Sequence, residues 1–283
     1  MNESAGKKIR RQVLRHFVLG FAAICMIYPL LWMIMSSFKP DAVIFSDPTA
    51  LPTSFDISSY IEGWTALGVS FTTFYKNSFI IAIFAVIGNL LACSLTAYAF
   101  ARLEFRGRKI WFALMMATLM LPYHVTLVPQ YVLFQKFGWV NTFLPLIVPK
   151  YLAVDAFFIF LMVQFFRGIP REIDEAAIMD GCGPWRIYWR IMLPLSTPVM
   201  ATAAIFSFIW TYDDFLGPLI YLNDINQYTV PLALRAFVDS SGGESLFGEL
   251  FAMSTLSLIP VFIVFLAFQK LIIRGVALGA LKR

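Results

Sequence analysis

The chain is 283 residues long, 59% hydrophobic and only 14% charged, which is more apolar surface than a soluble domain of this size buries. These proportions exclude an ordinary soluble enzyme and point to an integral membrane protein. The net charge of +5 comes with no basic stripe interleaved with aromatics, so nucleic acid is excluded as a partner.

A spanning helix needs roughly 20 mostly apolar residues. Six stretches meet or approach that length: 16–38, 72–101, 110–134, 143–166, 197–222 and 251–273. They predict an all-α membrane protein with six transmembrane helices, in which a basic tail over 1–15 precedes a single transmembrane domain over 16–283. The short alternating strands of a barrel are absent. The first run follows a basic stretch as in a signal sequence. It is too long and has no small-residue cleavage site, so an uncleaved first span is expected.

The connection Lys39 to Phe71, with Pro40, Pro48, Pro52, Asp41, Asp47, Asp56 and Glu62, reads as an ordered but irregular external cap. Arg102 to Lys109 is a tight basic turn. Pro129 to Thr142 reads as a short external connection, with Tyr131, Phe134, Phe137 and Trp139 as interfacial anchors. Asn223 to Leu250 is polar and includes the Gly-rich run Ser240 to Glu244. Seventeen of the 22 Lys and Arg fall on one side of this topology; only Lys39, Lys76, Lys136, Lys150 and Arg235 fall on the other. That asymmetry places both termini in the cytoplasm. Cys25, Cys93 and Cys182 form no disulfide framework and have no metal-site spacing.

Residues 169–194 form a polar hairpin inside this oily chain. Pro170 suits a helix start, where a missing N–H costs nothing, and Glu172, Asp174 and Glu175 follow where the helix dipole favours negative charge. Ile173, Ala176 and Ala177 make a small apolar stripe. Gly181 permits a left-handed turn, and a second short helix from Pro184 offers Trp185, Tyr188 and Trp189 before Leu193-Pro194. On periodicity alone this is either a dock for a soluble partner or an amphipathic hairpin lying on the bilayer.

The spacing Glu175-Ala176-Ala177, three residues, Gly181, nine residues, Ile191-Met192-Leu193-Pro194 resembles the cytoplasmic "EAA" loop of bacterial importer permeases of the ATP-binding-cassette (ABC) class. The resemblance implies that Glu175, Ala176, Ala177, Asp180, Gly181, Trp185, Leu193 and Pro194 couple the chain to an ATPase. Cys182 stands where relatives often have Ala. Pro29 to Lys39, Asn77-Ser78, Thr96 to Arg102, Met120-Leu121-Pro122 and the tail Arg274 to Arg283 resemble the maltose-type second permease chain. That group imports oligosaccharides and glycerol phosphate, and its Gly-rich terminus reaches between the ATPase subunits.

The partners implied are a second permease chain, two ATPase subunits that bind ATP and Mg, an extracytoplasmic solute-binding protein, and membrane lipid in the bacterial cytoplasmic membrane. The chain itself has no Gly-x4-Gly-Lys-Ser/Thr loop. It is therefore expected to be a pore-forming subunit without catalytic residues or cofactors of its own.

Trp210-Thr211-Tyr212-Asp213-Asp214-Phe215-Leu216-Gly217-Pro218-Leu219 resembles the family's Trp-Asn-Asp/Glu-Phe-Leu-x-Pro-Leu, with Tyr212 and Asp213 replacing Trp and Asn. A carboxylate accepts sugar hydroxyls and an aromatic ring covers the apolar C–H face, so Trp210, Tyr212, Asp213 and Asp214 are candidate pathway residues. Alternatively, the two carboxylates pair with a partner chain or cap a helix break at Gly217-Pro218. Asn77, Tyr123, His124 and Tyr131 are further candidates, although intramembrane Asn commonly bridges helices. His16 is the only other histidine, so no metal site is expected. Two other readings stay open: an ABC permease for a non-sugar solute, and an ion-coupled secondary transporter using Asp155, Asp213 or Asp214.

Overall fold

The computed structural model describes residues 5–47, 56–240 and 246–280. The principal helices are α1 (Ala5–Ser36), α2 (Phe71–Arg102), α3 (Arg108–Thr118), α4 (Tyr123–Lys136), α5 (Ala156–Arg167), α6 (Glu172–Met179), α7 (Pro184–Ile187), α8 (Thr197–Tyr212), α9 (Leu216–Tyr221), α10 (Val230–Ser240) and α11 (Phe247–Ala280). There is no strand among the described residues. Pro48 and Pro52 of the first connection, Ser241 to Glu244, and Lys282 and Arg283 of the tail lie outside the described residues.

Four helical stretches are long and apolar enough to cross a membrane: Arg10–Ser36, Phe71–Arg102, Leu144–Arg167 and Phe247–Gln269. Two further pairs qualify only if each bent pair counts as one span. One is α3 with α4, bent by 97°. The other is Pro184–Leu195 with Thr197–Tyr212, bent by 77°. The range is therefore four to six among the described residues.

The expected span 110–134 is broken. Leu119 to Pro122 separate α3 from α4, with Pro122 extended at φ −60°, ψ 132°. Proline disfavours the helical region for the residue before it and offers no N–H to the preceding turn. Pro129, expected to open the external connection, sits instead inside α4. The expected span 197–222 is also broken, and three residues earlier than Gly217-Pro218: α8 ends at Tyr212 and α9 begins at Leu216. Pro218 falls in the first turn of α9, where its missing N–H is tolerated. The hairpin helix α6 starts at Glu172 rather than Pro170.

Two compact units are formed. One comprises Met1–Ser70 with Leu234–Leu258. Within it, the Ser37 hydroxyl donates to the Ile34 carbonyl at 2.6 Å and meets the Tyr60 hydroxyl at 2.7 Å. The Gly248 N–H donates to Asp41 at 2.8 Å. Trp32 meets Phe251 edge-on at 5.3 Å, and Phe45 meets Phe247 at 4.8 Å. A side chain at Gly63 would come within 3.1 Å of Glu249 Cβ, so glycine permits this close approach.

The second unit comprises Phe71–Ala233 with Ile259–Arg283, and α2 is its spine. Its helix is apolar all round, as a helix covered on several faces should be. Cys93, Ala97 and Ala101 pack with Phe158, Ile159, Met162, Val163 and Phe166 of α5 and with Val199 and Ala203 of α8. Farther along, Ala82 packs with Phe208 and Tyr212 of α8 and with Val261 and Val264.

Gly88 lets α2 approach Tyr151, which lies in the 3-10 turn Val148–Leu152; a Cβ there would sit 2.6 Å from the ring. Gly88→Val should therefore destabilise the folded chain by about 1–3 kcal/mol through overpacking. Thermal melting in detergent reads this effect, and Tyr151→Ala in the same chain should restore most of the loss. Equal melting of Gly88→Val and wild type would refute the packing.

Candidate functional site

The end of α6 is built as a glycine-terminated helix stop. The Cys182 N–H donates to the Ala177 carbonyl at 2.9 Å and the Gly181 N–H to the Ile178 carbonyl at 2.9 Å. Gly181 sits at φ +76° with open space around it. These two bonds and a left-handed glycine are the Schellman arrangement, and they reverse the chain into α7. The left-handed turn expected at Gly181 is the one observed.

The resulting pair of short helices has two faces. Ala177, Ile187, Tyr188 and Met192 point inward and are buried. Glu175, Ala176, Asp180, Gly181 and Pro194 are exposed, and Leu193 is half-buried. Large apolar side chains share the outer face: Ile178 is 61% exposed, Met179 83% and Trp185 66%. These apolar groups share the outer face with Glu175, Asp180 and Arg186, which are exposed as well. Beside it a groove of about 450 Å³ is lined by Tyr98, Phe100, Leu103, Pro184, Trp185 and Tyr188.

Contacts from α2 fix the inner face. The Tyr98 hydroxyl donates to the Pro184 carbonyl at 3.2 Å, and the Tyr188 and Ser94 hydroxyls meet at 2.7 Å. Arg102, the last residue of α2, donates to the Phe166 and Ile169 carbonyls at 2.8 and 2.7 Å and pairs with Asp174 at 3.2 Å. Ser94 is not marked by the sequence, and Arg102, Asp174 and Tyr188, named there for other reasons, are not linked to one another by it. The partners of Arg102 are largely backbone carbonyls 64 and 67 residues away, which leave no trace in residue identity.

The candidate pathway residues divide. Trp210 and Asp213 are exposed and share one face of α8 at its end. Tyr123 and His124 are exposed at the start of α4. Tyr131 stacks on Tyr221 at 6.4 Å, and Asp214 lies within electrostatic range of Tyr123, Tyr221 and Lys150. Lys150 itself pairs with Asp155 at 2.9 Å. Asp214 also accepts the Gly217 N–H at 3.2 Å, capping α9.

Two further candidates, Tyr212 and Asn77, serve in packing and in bridging, the latter being the alternative role expected of an intramembrane Asn. Tyr212 is buried, stacked on Phe208 at 5.6 Å and against Phe79 at 5.8 Å. The ring fills the core between α2 and α8 instead of lining a path. Asn77 donates its amide to the Asn226 and Tyr228 carbonyls at 2.9 and 3.0 Å, so it bridges elements. The turn it holds is closed by Asp224, which accepts from Asn226; those hydrogen bonds keep the Asp224 carboxyl below the usual carboxylate range.

No cluster of His, Cys, Asp and Glu among the described residues has metal-binding geometry. The site offers contact surfaces and hydrogen-bonding groups.

Comparison with known proteins identifies the family of the chain. The chain is 32% identical over 279 residues to the diacetylchitobiose uptake system permease protein NgcG of Streptomyces coelicolor, covering 99% of this chain and 92% of that one. It is 32% identical to the trehalose/maltose transport system permease protein MalG of Thermococcus litoralis, covering 97% and 99%. It is 32% identical to the galactooligosaccharides transport system permease protein GanQ of Bacillus subtilis, covering 98% and 99%. Its fold matches a chain in the crystal structure of a bacterial ABC transporter involved in the import of the acidic polysaccharide alginate. That match has a TM-score of 0.82 at 24% identity, over 95% of this chain and 99% of that one. Residues 85–278 match the family described as the binding-protein-dependent transport system inner membrane component. With its several apolar helices, this chain is a multi-pass membrane protein belonging to that family, a permease subunit of the ABC transporters.

Proposed function

We propose that this permease subunit moves an oligosaccharide or related carbohydrate inward across the bacterial cytoplasmic membrane. The observation that carries the cargo is the near end-to-end likeness to permeases named for diacetylchitobiose, trehalose or maltose, and galactooligosaccharides. In this reading the chain has six spans with both termini cytoplasmic, α3 with α4 counting as one span and the stretch 197–222 as another, while Pro184–Leu195 belongs to the hairpin. It forms one half of a heterodimeric pore with a second permease.

Two ATPase subunits supply the energy, binding ATP and Mg, and a solute-binding protein delivers the sugar from outside. Residues 169–194 are the cytoplasmic coupling hairpin. Its outer face, with Glu175, Ala176, Asp180, Gly181 and Trp185, seats in the ATPase, and Met179 and Trp185 supply apolar anchors. ATP-driven closure of the ATPase dimer draws the hairpins together and biases the pore between its two states. Trp210, Asp213, Asp214, Tyr123, His124 and Tyr131 border the sugar path, where carboxylates accept hydroxyl hydrogens and rings cover C–H faces.

The test is to co-express the chain with the neighbouring permease and ATPase genes and to measure ATP hydrolysis stimulated by sugar-loaded binding protein. Gly181→Arg projects a long cation from the outer face into open space; the strain is that of one left-handed residue, roughly 1–2 kcal/mol. The variant should insert normally yet lose stimulation. Retained stimulation would remove the hairpin from coupling.

Trp185→Ala should weaken ATPase co-purification by at least about 2 kcal/mol, the cost of an interface anchor. Full recovery of the ATPase with this variant would place the contact elsewhere. Asp213→Asn should raise the sugar concentration for half-maximal uptake by about tenfold, as loss of a charge-assisted hydrogen bond does. An unchanged uptake curve would take Asp213 off the path.

A further inference from the structure

Arg102 ends α2 with its side chain only 4% exposed, and its guanidinium reaches three elements at once. Nη2 donates to the Phe166 carbonyl near the C-terminus of α5 and to the Ile169 carbonyl in the link to α6, at 2.8 and 2.7 Å. Nη1 pairs with Asp174 of α6 at 3.2 Å. The Phe166 carbonyl also accepts the Ile169 N–H at 3.1 Å, so the guanidinium adds a second donor where the chain leaves α5. The pair with Asp174 fixes the hairpin helix itself.

A buried ion pair is a poor source of stability, because desolvation offsets its attraction. What it supplies is position. A planar guanidinium holds three acceptors in fixed directions, and an ammonium does not. The pair is also joined at one point, since Arg102 Nε and Asp174 Oδ1 have no hydrogen-bond partner. On the same helix, Ser94 and Tyr98 hold Tyr188 and Pro184 of the hairpin's second half, and at the far end Asn77 and Ser78 hold the segment Asn226 to Val230.

We propose that Arg102 is the positioning residue through which hairpin movement is passed to α2 and α5, so that ATPase motion reaches the pore as displacement of α2. The proposal rests on the reading of residues 169–194 as the coupling hairpin. Arg102 touches neither ATP nor sugar. It acts by keeping α6, the end of α5 and the end of α2 moving as one body.

The experiment uses the full complex in lipid nanodiscs or proteoliposomes, with sugar-loaded binding protein, and reads sugar moved per ATP hydrolysed. Unfolded complexes contribute to neither quantity, so a merely structural loss leaves the ratio unchanged. Arg102→Gln and Arg102→Lys should each lower the ratio by at least about fivefold, within the range of coupling-network substitutions. Asp174→Asn should lower it less, because the two carbonyl bonds remain.

An unchanged ratio in Arg102→Gln overturns the proposal. So does full restoration by Arg102→Lys, which would make charge alone sufficient. If Arg102→Gln does not assemble, Arg102→Lys and Asp174→Asn decide by the same ratio. A wild-type complex that does not hydrolyse ATP in response to loaded binding protein overturns the importer reading itself, and that result is distinct from wild-type coupling with unaffected variants.

Discussion

Inside hydrocarbon no water is available to satisfy a polar group, so each must find its partner in the protein. The long helix α2 meets that requirement with a ladder of contacts. Asn77 and Ser78 bind the backbone at 226–230, Asn89 donates to Ser207 of α8 at 2.9 Å, and Ser94, Tyr98 and Arg102 bind residues 166–188. Between these rungs, small residues such as Ala97 and Ala101 admit the aromatic and methionine side chains of α5. Polar contacts set which surfaces meet, and apolar packing fills them. The rest of this unit is placed by what α2 holds.

The hairpin gains its character from how the ladder ends. Tyr188 and Ala177 are drawn inward, which turns Met179, Trp185 and Ala176 outward. Had α6 and α7 lain loose on the bilayer, their apolar residues would face lipid and their charges water. The observed division mixes both kinds on the outer face. That mixture suits a folded protein surface better than a lipid one.

Much of this was legible in the sequence, because it rests on local chemistry. Hydropathy located the long helices, and Gly181 after an alanine-rich turn marked a left-handed stop that the two hydrogen bonds realise. The breaks were less legible. Pro122 lies within an apolar run whose hydropathy hides a bend, and Asp214, ahead of Gly217-Pro218, caps the helix start there. Tyr212 looked like a binding residue by its neighbours, but the turn of α8 aims it at Phe79 and Phe208. In the sequence Arg102 marks the end of an apolar run and the start of a basic turn. Its meaning lies in carbonyls far along the chain, to which residue type gives no clue.

The length of α2 has a consequence for how its charge is distributed. Its 32 residues at about 1.5 Å each give a rod of about 48 Å, well beyond the ~30 Å hydrocarbon thickness. Residues 77 and 102 lie about 38 Å apart on that rod by the same rise, more than the ~30 Å hydrocarbon thickness, so an upright rod cannot hold both the guanidinium and the Asn77 amide in hydrocarbon. Between them along the rod lie the neutral pairs Asn89–Ser207 and Ser94–Tyr188. A rod with its formal charge at the rim can slide or tilt by a few ångströms without dragging an ion through lipid. Motion along the membrane normal is thereby left electrostatically cheap.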